Sequence, residues 1–305
     1  MKYINIPETD LKTSEIILGC MRIHEIEFSD VPGLFDAALD EGINIFDHAD
    51  IYGNGRSEET FARAVNMSPD NREKFIVQTK CGIRQGFFDL SKKHILNSVE
   101  GSLQRLKTDY IDILLLHRPD TLMEPEEVAE AFNILHESSK VRYFGVSNQN
   151  TMQIELLSRY LDQKLIINQL QLSLTNTGMI DSGLNVNMEI DRSIDRDGSI
   201  LEYCRLKDIS IQAWSPYQFG FFDGIFIDHP KFPDLNRKMD ELANKYNATK
   251  NAIATAWLIR HPAKIQPISG TTNAKRLKEI CKASDIQLSR KEWYELYLSA
   301  GNSLP

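Results

Sequence analysis

Eight short apolar segments recur along the chain, and most of them end in a residue that can take part in chemistry. The segments between them have mainly the periodicity of amphipathic helices. Regular alternation of buried strands with helices is typical of βα units around a parallel sheet. Eight such units predict an α/β protein with a closed (β/α)8 TIM barrel. The predicted strands are EIILGC (15–20), INIFDHA (43–49), FIVQTK (75–80), DILLLH (112–117), YFGVSN (143–148), IINQLQLS (166–173), ISIQAWSP (209–216) and IQPISG (265–270).

The carboxyl ends of these strands carry the polar residues. Barrels of this kind place their active sites at that end, where residues from separate strands meet. Here those ends supply Asp47, Lys80, His117, Asn148 and Trp214. The pattern therefore predicts a single site at the carboxyl-terminal mouth of the barrel.

Boundary signals and lengths distinguish the remaining segments. Ser91, Asn150 and Asn273 precede helical patterns and are residues that favour the N-cap position. Ser289 precedes a last helix that follows the eighth βα unit, which predicts an additional C-terminal helix. The stretch 174–196 is too long for an ordinary connection, so we expect a loop that is mobile in the free protein and becomes ordered over the site, as a lid, when the site binds its ligand.

A second long loop, 217–233, leaves the seventh strand on the same side and is rich in Phe, Gly and Pro. Four of its aromatic residues allow two interpretations. They form an apolar wall of a substrate pocket, or they pack the loop itself. These residues are Phe219, Phe221, Phe222 and Phe226.

Length and charge limit the classes of protein to consider. The chain has 305 residues without a linker or a low-complexity tract, and we interpret 1–305 as a single barrel domain, a size that such barrels reach. The net charge of -8 argues against a general nucleic-acid or anionic-membrane surface. No apolar run is longer than a strand, so no membrane partner is expected.

Two further features predict a cytoplasmic location. The N-terminal segment MKYINIPETD lacks the apolar core of a signal peptide. The four cysteines are scattered without CxxC spacing, which favours reduced thiols over disulfides or a metal site.

Four residues near the mouth form a coherent acid–base set. Tyr52 lies in the loop after Asp47, while Lys80 and His117 end the next two strands. A free tyrosine has a pKa of about 10, and a neighbouring ammonium lowers it by stabilising the phenolate. A carboxylate keeps the lysine charged, and the histidine can orient a substrate oxygen or relay a proton. These groups polarise a carbonyl and supply a proton but no hydride, so reduction needs a cofactor.

The chain resembles the aldo-keto reductases from about Ile16 to about Ala283. Any one of the shared strings is weak alone, but their order and spacing match the family throughout. The matching motifs are FDHADIYG, Lys80 after FIVQT, LLLH ending at His117, GVSN (145–148), NQ (168–169), AWSP (213–216) and SGTTNAKR (269–276).

This resemblance implies a barrel without a Rossmann domain that binds NADP(H) and reduces a small-molecule carbonyl substrate. It implies Tyr52 as the general acid, Lys80 and Asp47 as the pair that tunes it, and His117 as the residue that orients the carbonyl. The implied contacts to the nicotinamide end are Ser147, Asn148, Gln169, Trp214 and Ser215, with the Trp214 ring stacked on the nicotinamide. The implied contacts to the adenosine-phosphate end are Ser269, Gly270, Thr271, Thr272, Arg276 and Glu279.

The chain departs from the family pattern at three places. His48 stands where the family often has Thr, so a second imidazole follows Asp47. Glu279 matches the family, but Ile280 replaces the Asn that often contacts adenine. About fourteen residues precede the first strand, which predicts an abbreviated N-terminal hairpin.

Two other functions remain to be weighed. A metal-dependent barrel hydrolase would use His48, Asp50 and His117, but it needs more ligands than the strand ends offer, so no metal site is predicted. A non-catalytic or slow subunit that senses NADPH is the alternative to a reductase, and turnover would separate the two. The sequence identifies neither the substrate nor the oligomeric state.

Overall fold

The computed structural model describes residues 1–305 and contains a closed barrel of eight parallel strands. The strands follow one another around the barrel in chain order, and the last pairs with the first through Ile268 and Ile17. The predicted fold class is therefore confirmed, and each of the eight predicted segments overlaps a barrel strand. The barrel strands are Ile17–Gly19, Ile45–Asp47, Ile76–Cys81, Ile111–Leu116, Val141–Ser147, Leu165–Gln171, Ser210–Trp214 and Gln266–Ser269.

Helices cover the outside of the barrel, so the strands are buried on both faces. Every residue of Ile111–Leu116 is buried, as the unbroken apolar run IDILLL requires in a parallel sheet. The helices are Val31–Asp40, Arg56–Ala64, Pro69–Arg72, Lys92–Leu106, Pro125–Glu137, Thr151–Ser158, Gly178–Leu184, Ile200–Leu206, Pro233–Tyr246, Lys250–Ile259, Ala274–Cys281 and Arg290–Ser299. None of them is long and apolar enough to pass through a lipid bilayer.

The predicted N-caps are confirmed. The side chains of Ser91, Asn150 and Asn273 each accept a hydrogen bond from the backbone N–H three residues later. Ser289 does the same, and its backbone N–H donates to the carboxylate of Glu292 in a capping box. These local bonds satisfy amide groups that have no partner inside the helix.

Apolar side chains close the amino-terminal end of the barrel. The antiparallel hairpin Tyr3–Asn5 and Lys12–Ser14 has strands of only three residues, yet Ile6 and Leu11 from its loop pack against isoleucines inside the barrel. A much larger cluster fills the space between strands and helices. The amino-terminal end is therefore plugged, and a ligand can enter only from the opposite mouth.

The additional C-terminal helix, Arg290–Ser299, is confirmed and packs through a tryptophan pair. Trp293 stacks on Trp257 with ring centroids 4.8 Å apart and planes 11° from parallel. Each indole N–H donates to the backbone carbonyl of the other residue, at 3.1 and 3.0 Å. Both polar groups of this large apolar contact are thus satisfied.

The stretch 174–196 contacts the C-terminal helix. It contains the helix Gly178–Leu184 and is tied to the C-terminal helix, because Tyr297 donates to Asp181 at 2.6 Å and Arg192 bonds the same carboxylate at 3.1 Å. None of its residues lines the cavity at the barrel mouth. In this structure the stretch therefore lies away from the site, held by a residue 116 positions later in the sequence, and its closure over the site on ligand binding stays a prediction.

Candidate active site

A cavity of about 1090 Å³ opens at the carboxyl-terminal mouth of the barrel. This exceeds the usual range of ligand pockets, about 300–1,000 Å³, so it has room for an extended ligand. Most of the site residues expected from the sequence line it. These lining residues are Asp47, Tyr52, His117, Ser147, Asn148, Gln169, Trp214, Ser215, Gly270, Thr271 and Arg276.

Lys80 lies beneath the cavity and links Tyr52 to Asp47. Its ammonium donates to the Asp47 carboxylate at 2.7 Å, to the backbone oxygen of His48 at 2.7 Å and to the Tyr52 phenol at 3.3 Å. The lysine side chain is fully buried. The strand Ile76–Cys81 therefore delivers a charged group to the back of the phenol, where substrate cannot reach it.

The pKa of Tyr52 moves in the direction opposite to the sequence expectation. Burial raises the pKa of the phenol, and the nearby Lys80 ammonium offsets only part of this increase. For Lys80, burial lowers the pKa, but attraction to Asp47 and Tyr52 outweighs it and the net shift is upward. The lysine therefore stays charged, and the phenol holds its proton at neutral pH as a general acid must.

Glutamine amides surround the Asp47 carboxylate on the side away from Lys80. Gln78 donates to its Oδ1 at 2.6 Å and Gln169 donates to the same oxygen at 3.0 Å. Gln212 exchanges hydrogen bonds with Gln78 at 2.8 and 3.1 Å. The sequence analysis missed Gln78 and Gln212, although Gln78 lies two residues before Lys80 and so shares its strand face.

His117 presents one ring nitrogen to the cavity. Its ring meets the Tyr52 ring edge-on, with centroids 5.9 Å apart and planes at 82°. The Nδ1 atom is enclosed without a hydrogen-bond partner, which leaves Nε2 to face a ligand. Burial, followed by the charges of Lys80 and Arg118, places the pKa of His117 well below its usual value. The imidazole is therefore neutral at pH 7 and can donate one hydrogen bond.

A chain of hydrogen bonds joins the residues expected at the nicotinamide end. The Trp214 indole donates to Asn148 at 3.0 Å, and the Asn148 amide donates to the Ser147 hydroxyl at 2.7 Å. Ser147 in turn donates to the backbone oxygen of Gln169 at 3.1 Å. Asn148 has φ 57°, a left-handed conformation that asparagine tolerates better than most residues. These bonds hold the indole ring and two polar side chains at one wall of the cavity.

The residues expected at the adenosine-phosphate end divide into two groups. Gly270, Thr271 and Arg276 line the cavity, whereas Ser269, Thr272 and Glu279 do not. Ser269 is fully buried at the end of the last barrel strand.

The loop 217–233 lines the cavity, and the structure decides between the two interpretations of its phenylalanines. Phe221 and Phe222 are exposed and line the cavity, whereas Phe219 and Phe226 are buried and pack the loop. Phe222 stacks on Trp214, with ring centroids 5.9 Å apart. The cavity thus has an apolar aromatic wall beside its acid–base group.

The three side chains of the metal-hydrolase alternative do not converge. His48 points away from the cavity and packs on Phe61, with ring centroids 4.7 Å apart. Asp50 accepts a hydrogen bond from Ser98, and burial raises its pKa to about 6. No group of three or more His, Cys, Asp or Glu side chains has a spacing that could hold a metal ion.

His48 makes the stability of the protein depend on pH. It is fully buried, neither ring nitrogen bonds to another protein group, and burial lowers its pKa to about 3. Between the unfolded pKa of about 6.5 and this value, the unfolded chain binds a proton that the folded protein excludes. His48 should therefore lower the free energy of unfolding by about 1.4 kcal/mol for each pH unit as the pH falls from about 6.5 to about 3.

We expect His48→Leu to reduce this slope by about that amount between pH values of roughly 6 and 4. Urea unfolding of the wild type and the variant at several pH values measures it. His136→Leu, which changes an exposed histidine, is the control. Equal slopes for wild type and His48→Leu would contradict the assignment of His48 as a neutral core residue.

The four cysteines are free and buried, and they form no disulfide. Burial raises the pKa of the Cys20 and Cys81 thiols well above its usual value. Thiols in this state are poor nucleophiles, so both act as packing residues near the mouth.

Comparison with known proteins identifies the family to which this chain belongs. The sequence model of the family described as "Aldo/keto reductase family" matches residues 15–297. An uncharacterized oxidoreductase of Bacillus subtilis, YcsN, is 38% identical, and the alignment covers 100% of both chains. The 6-dehydroglucose reductase of Agrobacterium fabrum is 33% identical, with 95% of each chain covered.

A solved structure agrees with the fold. The aldo-keto reductase from Klebsiella pneumoniae, crystallised in complex with NADPH, has a TM-score of 0.77 to this chain at 26% identity. The match covers 97% of this chain and 93% of the other. With the family match spanning every barrel strand, this chain belongs to the aldo/keto reductase family of oxidoreductases.

Proposed function

We propose that this protein reduces an aldehyde or ketone to an alcohol by hydride transfer from NADPH. The observation that carries the proposal is the buried chain Asp47–Lys80–Tyr52, which ends in a protonated phenol at the wall of a large cavity. We take 1–305 as one barrel domain. The four free cysteines favour a reducing, cytoplasmic setting.

The lining of the cavity fits an extended dinucleotide. At one end, the Trp214 ring offers a flat apolar surface beside the polar groups of Ser147 and Asn148. At the other end, Gly270 lies just after the last barrel strand, and Arg276 lies in the first turn of the helix Ala274–Cys281. A guanidinium near a helix N-terminus suits a phosphate, whereas an aromatic ring beside amides suits a nicotinamide.

When bound, NADPH supplies the hydride for the reaction. Tyr52 donates its phenolic proton to the carbonyl oxygen as negative charge develops there. Lys80 lies 3.3 Å behind the phenol and stabilises the phenolate that remains, while Asp47 keeps the lysine charged and in place. His117 is neutral and directs Nε2–H at the same oxygen, which orients the carbonyl between two donors.

The proposal is tested by the oxidation of NADPH in the presence of a panel of aldehydes and ketones. Consumption of NADPH that matches the alcohol formed would support a reductase. Tight NADPH binding without turnover of any carbonyl in the panel would favour the alternative, a subunit that senses NADPH.

We expect Arg276→Ala to weaken the binding of NADPH and to leave NADH binding almost unchanged. The 2′-phosphate is the group that distinguishes the two cofactors, and a charged hydrogen bond to it contributes about 1.5–3 kcal/mol. Titration of each cofactor followed by tryptophan fluorescence measures both affinities.

Lys278→Ala is the matched control for this experiment. Lys278 is a cation on the same helix, but it faces Asp40 at 3.7 Å and does not line the cavity. Equal losses for NADPH and NADH in Arg276→Ala would mean that Arg276 has a structural role rather than a role in phosphate recognition.

A further inference from the structure

Arg118 is a half-buried cation in the cavity that the sequence analysis did not single out. It follows His117 directly, at the end of the strand Ile111–Leu116, and lines the same cavity. Its guanidinium lies 5.4 Å from the centre of the Trp214 ring and 6.0 Å from that of Phe221. It is thus positioned beside the acid–base group and over the aromatic wall.

The Arg118 side chain donates no hydrogen bond to another protein group and forms no ion pair. The two acidic residues that line the cavity already have cationic partners: Asp47 is paired with Lys80, and Asp228 with Lys250. Burial accordingly lowers the pKa of Arg118 from its usual value.

A half-buried arginine without an acceptor or an ion pair favours the binding of an anion. A guanidinium has five N–H donors in a planar fork, and withdrawal from water is costly when they have no acceptors. Contact with an aromatic face recovers only part of this cost. A carboxylate can accept two parallel hydrogen bonds from the fork and neutralise its charge.

Arg118 lies in a different part of the cavity from the cations that are expected to bind the cofactor. Arg276 lies in the segment assigned to the adenosine phosphate, and Arg22 donates to the backbone oxygen of Gly270 at 2.7 Å in the same region. Arg118 instead adjoins His117, which faces the carbonyl in the proposed reaction. Its ligand would therefore be the substrate.

We propose that Arg118 selects carbonyl substrates that bear a carboxylate, joined to the carbonyl by an apolar or aromatic spacer. The acid–base group would bind the carbonyl oxygen, the wall of Phe221 and Phe222 would contact the spacer, and Arg118 would pair with the anionic end. This inference rests on the proposed reductase function and adds the class of substrate to it.

The test compares two aldehydes of similar size, para-carboxybenzaldehyde and para-nitrobenzaldehyde, at saturating NADPH. The wild type should prefer the carboxylate. In Arg118→Met, the ratio of kcat/KM for the carboxylate to kcat/KM for the nitro compound should fall about 10- to 100-fold, as expected for a lost charged hydrogen bond. The Kd for NADPH should not change.

Two controls keep the result independent of folding. Arg159→Met removes the same charge from an exposed position outside the cavity and should leave the ratio as in the wild type. In the wild type itself, an increase in NaCl from about 20 mM to about 500 mM should lower the ratio, because salt screens a partly exposed ion pair.

The outcomes distinguish this inference from the proposed function. An unchanged ratio in Arg118→Met, or an equal loss for both aldehydes together with weaker NADPH binding, would overturn the role of Arg118 and leave the reductase standing. Absence of NADPH-dependent turnover of any aldehyde by the wild type would overturn the proposed function itself.

Discussion

Tyr52→Phe should reduce the rate of carbonyl reduction by about 10²–10⁴-fold, the usual contribution of a general acid. The phenol touches the substrate oxygen in the proposed reaction, but the substitution leaves the aromatic ring and its contact with His117 in place. NADPH affinity should therefore remain nearly unchanged. Steady-state turnover on the best substrate and a fluorescence titration with NADPH measure the two quantities.

Tyr160→Phe is the matched control, because it removes a phenolic oxygen from a position outside the cavity. It should behave as the wild type in both measurements. Turnover by Tyr52→Phe within a few-fold of the wild type would show that another group donates the proton.

Lys80→Met should lower both the rate and the stability. The rate falls because the phenolate left at Tyr52 loses the ammonium that stabilises it. The stability falls because the buried Asp47 carboxylate loses its counter-charge, a change that typically costs about 3–5 kcal/mol. Gln78 and Gln169 still donate to this carboxylate, so we expect a loss near the lower end of that range.

The double variant Asp47→Asn/Lys80→Met separates the two effects. Removal of both charges should recover a large part of the lost stability, since no buried carboxylate remains unpaired. Activity should not recover, because the lysine is still absent. Urea unfolding and NADPH turnover provide the readouts, and recovery of activity in the double variant would contradict the role assigned to Lys80.

Strand alternation explains why so much of the mouth could be predicted. Residues two apart on a barrel strand share a face, and the carboxyl ends of all eight strands meet at one end. Asp47, His117 and Trp214 therefore had to lie near one another once eight βα units were recognised. The same rule turns His48, the neighbour of Asp47, outward onto Phe61.

Contacts between distant segments could not be predicted in this way. The anchoring of 174–196 depends on Tyr297, and the surroundings of Asp47 depend on amides from two other strands. The net pKa shift of Tyr52 depends on how far burial, which raises the pKa, outweighs the Lys80 ammonium, which lowers it. Such balances follow from distances and solvent access, and local sequence patterns contain neither.

The sequence by itself determined the barrel, the mouth at which the site lies and the residue types gathered there, because apolar periodicity and strand ends are local properties. Only the tertiary structure decided that Arg118 has no anionic partner inside the cavity and that Phe221 and Phe222 form the cavity wall. It also decided that 174–196 is hydrogen-bonded to the C-terminal helix. These are properties of surfaces in contact, and the chain creates those surfaces only when it folds.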